Sequence, residues 1–165
     1  MSAPAPLNFA LADEAATLAL GANLGDALAA QATPGALVYL SGDLGAGKTT
    51  LSRGLLRGLG HIGRVKSPTY ALVELYVISG LHLYHFDFYR FGDPEEWQEA
   101  GFRDLFNATN ICLVEWPEKA LDLLPPADVQ ITLATSINDG RTATITASTA
   151  RGLMILECLL PASTT

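Results

Sequence analysis

The chain has 165 residues, a formal net charge of -7, 49% hydrophobic and 16% charged residues. That length suits one domain with a real core, and the apolar balance suits a buried parallel sheet. The acidic balance excludes a protein that grips nucleic acid alone through a broad basic surface, and no apolar run reaches the length of a membrane-spanning helix.

Met1 to Pro6 reads as a loose end without a secretory signal, and Pro161 to Thr165 as a second loose end. Asp13 to Ala30 carries helical periodicity through Leu18, Leu20, Leu24 and Leu28, with acids where a helix start favours them. Pro34-Gly35 is a turn, and Ala36 to Leu40 a short buried strand. It runs into Gly42-Asp43-Leu44-Gly45-Ala46-Gly47-Lys48-Thr49, which meets every fixed position of the phosphate-binding pattern G-x-x-x-x-G-K-[ST]. Thr50 to Leu56 then reads as an amphipathic helix closed by Gly58 and Gly60.

The strand before the pattern and the helix after it separate a phosphate loop from a chance match. Gly42, Gly45 and Gly47 let the backbone turn its N–H groups toward phosphate oxygens. The helix start presents a positive dipole end to the same anion. Lys48 is placed to reach the terminal phosphates, and the Thr49 hydroxyl to ligate Mg²⁺.

Ser67-Pro68-Thr69-Tyr70 follows, either an ordinary loop or a switch whose hydroxyl meets Mg²⁺ or the γ-phosphate. Tyr70 to Ser79 and Leu81 to Asp87 read as a hairpin around Gly80. Pro94 to Glu99 is a short acidic helix, and Phe102 to Phe106 a second turn or helix. Ile111 to Glu115 is an apolar strand ending in a carboxylate, as Leu83 to Asp87 is. Ligands gather at the C-terminal ends of strands in open α/β sheets, so Asp87 and Glu115 are candidate metal-site and catalytic carboxylates. A structural role for one of them, paired with Arg90 or capping a helix, is the alternative. Val129 to Thr135 and Thr142 to Ser148 alternate about Asn138-Asp139-Gly140, a hairpin signal. Ala150 to Leu160 reads as either helix or strand.

Together these elements predict an α/β fold: a three-layer P-loop NTPase domain, residues 1–165, with a mixed parallel/antiparallel sheet. Cys112 and Cys158 read as two buried thiols rather than a disulfide. His85 shares a face with Asp87 and Tyr89, and a lone histidine in an apolar strand is read as a packed residue. Trp116 either packs beneath the site or stacks on a base. Arg53, Arg57, Arg64 and Lys66 are read as solvated basic residues at a helix end, a local nucleic-acid contact being the alternative.

With these motifs assembled, the chain resembles the TsaE family, formerly called YjeE. GDLGAGKTT at Gly42 to Thr50, SPTY at Ser67 to Tyr70 and HFDFYR at His85 to Arg90 carry the resemblance. Asp93-Pro94-Glu95-Glu96 and Glu115-Trp116-Pro117-Glu118 extend it, and Phe88 and Phe91 depart from the family's frequent leucines. The resemblance implies a cytoplasmic ATPase that binds ATP and Mg²⁺, slow alone and stimulated by its partners TsaB and TsaD. Those partners transfer a threonylcarbamoyl group to tRNA adenosine, so tRNA is met indirectly, through the complex, and no membrane is involved. By the same resemblance Lys48 and Thr49 bind phosphate and Mg²⁺, and Thr50 supports the nucleotide. Asp87 and Glu115 are the metal and catalytic carboxylates, Thr69 is the switch residue, and Trp116 lies beside the site.

Two other classes compete. A small-molecule kinase needs lid arginines, and after Arg103 only Arg141 and Arg151 remain. A non-enzymatic nucleotide switch needs no turnover. No Asn-Lys-x-Asp guanine-reading motif occurs, which leaves ATP as the default nucleotide.

Overall fold

A computed structural model describes residues 4–66, 68 and 72–159. The elements follow the chain as β1 (Leu7–Leu11), α1 (Glu14–Ala29), β2 (Ala36–Ser41), α2 (Lys48–Gly58), β3 (Val73–Ile78), β4 (Leu81–Asp87), α3 (Pro94–Glu99), β5 (Ile111–Glu115), β6 (Val129–Thr135), β7 (Arg141–Ala147) and α4 (Ala150–Leu159). They build a seven-stranded sheet in the order β1-β7-β6-β2-β5-β4-β3. The central strands β4, β5, β2 and β6 are parallel, whereas β3, β7 and β1 join antiparallel neighbours. The expected mixed α/β sheet is therefore present.

Every residue of β5 is buried, the pattern of a strand covered on both faces. One face of the sheet packs on α1, α2 and α4 through aliphatic residues such as Leu40, Leu51, Leu55 and Leu113. The other face carries an aromatic cluster in which Phe86 meets Phe88, Trp97, Phe102 and Phe106 at centroid distances of 5.2–6.4 Å. Phe102–Leu105 forms a 3₁₀ turn beneath it.

Helices α1 and α2 touch backbone to backbone. A Cβ on Gly21 or Gly25 would lie 2.4 Å from the carbonyl oxygen of Leu51 or Leu55, and one on Gly54 or Gly58 would lie 2.3 Å from that of Leu18 or Ala22. Gly58 is thus both the last residue of α2 and part of the helix–helix contact. The chain leaves α2 at Gly60, whose φ of +106° is the left-handed conformation expected past a helix end.

Other boundaries moved for identifiable reasons. Leu7–Leu11 is a strand, unforeseen in the sequence, because it exists by pairing along β7 from Leu7–Ile145 to Leu11–Arg141. The β3–β4 turn is two residues, Ser79 and Gly80, both at positive φ, as a tight hairpin turn requires. The second hairpin turns through Asp139, also at positive φ. The last segment is helical and buries Gly152, Ile155 and Leu156. Cys158 lies on its exposed side, so the expectation of two buried thiols holds for Cys112 alone. Ser67, Thr69 and Tyr70, and most of the expected loose ends, lie outside the described residues. No helix among the described residues is long and apolar enough to cross a membrane.

Candidate functional site

The phosphate loop leaves β2 at its C-terminal end and enters α2 through Gly47, at φ +104°. No side chain caps α2, so its first-turn N–H groups face the loop's concavity. The loop cannot hold a side chain at Gly42, where φ is +150° and a Cβ would sit 2.6 Å from the carbonyl oxygen of Leu133. Ala46 is buried and its N–H donates 3.0 Å to the carbonyl of Asp43, whereas Leu44 projects into solvent, 67% exposed.

The parallel register carries both candidate carboxylates to this loop. Leu40 is paired with Glu115, and Glu115 with Asp87, so the three residues form one row across β2, β5 and β4. Glu115 is buried and Asp87 half-buried. Strand β4 ends at Asp87, whose Oδ1 accepts from the N–H of Tyr89 at 3.0 Å, and the chain then bends so that Arg90 also lines the site.

A hollow of about 470 Å³ collects these groups, lined among others by Lys48, Thr49, Thr50, Asp87, Arg90, Glu115 and Trp116. The ammonium of Lys48 donates to the carbonyl of Gly42, and at 3.0 Å to that of Asp43. It lies 4.3 Å from the centroid of the Trp116 ring. Burial lowers the pKa of Lys48, and the negative charges of Glu115, Asp87, Glu118 and Asp43 oppose that shift. Trp116 adopts φ +58°, uncommon for a bulky residue, directly after Glu115. Nε2 of His85 stands 3.0 Å from Oε2 of Glu115, and both side chains are buried.

A second hollow of about 340 Å³ shares Gly45, Gly47 and Thr50 with the first. Asp13, Arg53, Asp139 and Arg141 line it. Arg141 donates 3.1 Å to the carbonyl of Gly45, tying the β6–β7 turn to the phosphate loop. Arg53 sits 3.7 Å from Glu14. Arg151 lies at the far end of the sheet, where it donates to the carbonyl of Gly35. None of this second group was singled out as site-forming from sequence, since only the landing of the hairpin beside the loop assembles it.

A family model described as threonylcarbamoyl adenosine biosynthesis protein TsaE matches residues 11–143. The chain belongs to the TsaE family. Among curated TsaE proteins, that of Haemophilus influenzae is 53% identical over 121 residues, covering 73% of this chain and 76% of the relative. That of Bacillus subtilis is 40% identical over 129 residues, covering 78% and 80%. A crystal structure of Bacillus subtilis YdiB superposes with a TM-score of 0.76 at 33% identity and covers 96% of both chains. For this TsaE-family member the P-loop architecture read from the sequence therefore stands.

Proposed function

We propose that this chain is an Mg²⁺-dependent ATPase of tRNA threonylcarbamoyladenosine modification, acting with the TsaB–TsaD transferase in the cytoplasm. The observation that carries the reading is the row Leu40–Glu115–Asp87, which sets two carboxylates against the phosphate loop and Lys48. Membership of the TsaE family supplies the pathway.

The donors fit the cofactor. No cluster of three or more His, Cys, Asp or Glu side chains suited to a metal occurs among the described residues. Mg²⁺ needs no such cage, since it is commonly held by one or two carboxylates, a hydroxyl, phosphate oxygens and water. Thr49, Asp87 and Glu115 are oxygen donors of that kind. When bound, the ion neutralises charge that builds on the phosphates during transfer.

In this reading Gly42 to Thr50 cradle the phosphates, and Lys48 exchanges its carbonyl partners for phosphate oxygens. Glu115 orients the attacking water and Asp87 the hydrated metal. Arg90 adds a positive charge at the mouth. Thr69, outside the described residues, serves as the switch that links nucleotide state to the partners. The hollow beside Arg141 and Arg53 receives the nucleoside end, because it shares Gly45, Gly47 and Thr50 with the first hollow but neither Asp87 nor Glu115 lines it. Trp116 closes the phosphate side. tRNA is met through TsaB and TsaD, which suits a chain of net charge -7.

The test is ATP hydrolysis by the chain with and without TsaB and TsaD of the same organism, together with the count of modified tRNA per complex. Stimulated hydrolysis and ATP-dependent modification beyond one turnover support the reading. If the partners change neither quantity, the pathway role fails while nucleotide binding remains to be judged alone.

A further inference from the structure

Strand β4 carries a polar residue where packing calls for none. Its residues Leu83, His85 and Asp87 share one face, and the register sets His85 opposite Leu113 of β5. Leu83 and Leu113 are fully buried in the aliphatic core that backs α1 and α2, and His85 is buried as completely. A leucine at position 85 would suit those neighbours. An imidazole placed there must be desolvated, and among the described residues its Nδ1 finds no hydrogen-bond partner. Its Nε2 finds one, Oε2 of Glu115 at 3.0 Å, across the diagonal of the β4–β5 pair.

We propose that His85 is the positioning residue of Glu115, its Nε2–H holding one carboxylate oxygen so that the other is presented to the metal and water at the phosphates. The inference rests on the nucleotide-site reading above and deepens it. A glutamate turns about three side-chain bonds, and a site that acts on a metal-bound water needs that freedom removed before the reaction begins. Replacing a residue that orients a metal ligand from behind typically costs about 10- to 100-fold in metal affinity or activity. Both side chains are buried, with exposures of 0% for His85 and 3% for Glu115, and a leucine in place of the imidazole would leave no donor at that point. The same tie explains the spacing of His85 and Asp87. One residue steers a carboxylate of the next strand, and the other supplies a carboxylate of its own.

The test uses the full chain with His85→Leu, which keeps bulk and removes the donor, His85→Gln, whose amide N–H restores it, and Glu115→Ala. ADP affinity is measured with and without Mg²⁺, beside ATP turnover. His85→Leu should lower turnover by about 10- to 100-fold and remove a similar share of the affinity that Mg²⁺ adds. Mg²⁺-free ADP affinity should stay within about twofold, and His85→Gln should recover most of both losses. Combined with Glu115→Ala, His85→Leu should change the Mg²⁺-dependent affinity by less than about twofold, since the group it acts through is gone. Equal loss in both backgrounds, or equal loss with and without Mg²⁺, makes His85 a packing residue and overturns the proposal.

A direct readout needs no nucleotide. Histidine labelled with ¹⁵N should show an Nε2-bound proton, slow to exchange, whose resonance moves on Glu115→Ala, and a proton that ignores that change overturns the pairing. Should the wild-type chain fail to bind ADP, the nucleotide reading falls while this spectrum still decides the tie. Should His85→Leu not fold, His85→Asn, one methylene too short to reach, takes its place against His85→Gln.

Discussion

Lys48 and Trp116 meet in the hollow, with the ammonium 4.3 Å from the ring centroid while it donates to two loop carbonyls. The contact joins the phosphate loop to the residue that follows β5, and on the proposed function phosphate oxygens compete with it for the ammonium.

Nucleotide should therefore draw Lys48 from the ring and alter the emission of Trp116. In a Trp97→Phe variant, which removes the other tryptophan, ADP should change fluorescence saturably. Lys48→Ala should abolish that response and weaken ADP affinity by roughly 10- to 100-fold, the worth of a charged hydrogen bond. An ADP affinity within twofold of wild type would refute the assignment of Lys48.

Glu115→Ala should cut ATP turnover by about 100-fold or more while ADP affinity without Mg²⁺ falls only a few-fold, because the proposed function gives it the attacking water rather than the cradle. Parallel loss of binding and turnover would return Glu115 to a structural role.

Arg141 braces the loop from outside through the carbonyl of Gly45. Arg141→Ala should lower stability by about 1 kcal/mol, the worth of one such hydrogen bond, and should also weaken ADP because the loop loses its outer brace. Calorimetric titration and a thermal scan read the two effects separately.

Alkaline unfolding should bear the mark of two buried acids. Burial pushes the Tyr39 hydroxyl from 10.0 up to about 12, and the Cys112 thiol from 9.0 up to about 12. The unfolded chain releases these protons first. The stability they contribute is thus complete below pH 9 and is lost as pH climbs toward 12, by up to about 1.4 kcal/mol per pH unit and group. Tyr39→Phe also removes the hydrogen bond to the carbonyl of Pro125 and should cost about 1 kcal/mol at neutral pH. It should nevertheless flatten the alkaline slope in denaturant titrations between pH 9 and 12.

The helix contact gives a stability prediction. Gly54→Ala would drive a Cβ to 2.3 Å from the Leu18 carbonyl, and should cost about 3 kcal/mol, or a fall of roughly 5–10 °C in Tm.

Legibility in the sequence followed how local each feature is. The phosphate loop is contiguous, so its glycines, Lys48 and Thr49 could be named outright. Asp87 and Glu115 were legible because each ends a short apolar run, and strand ends are where sheets place ligands. Their adjacency was not, since it depends on β4 and β5 lying side by side. The same non-local pairing hid the tie of His85 to a glutamate thirty positions away. Leu7–Leu11 was missed because an edge strand of five residues draws its stability from β7 rather than from its own pattern. Cys158 was misplaced because an apolar tail that coils as α4 turns half of its residues outward.

The four glycines between α1 and α2 also limit what descendants of this gene can become. At each position the obstructing atom is a backbone carbonyl oxygen, which no compensating side-chain replacement can move aside. Drift elsewhere in the core can be answered by a smaller neighbour, but here it has no answer. Lineages that keep this fold are thus expected to keep all four glycines together, even where the surrounding leucines have been exchanged.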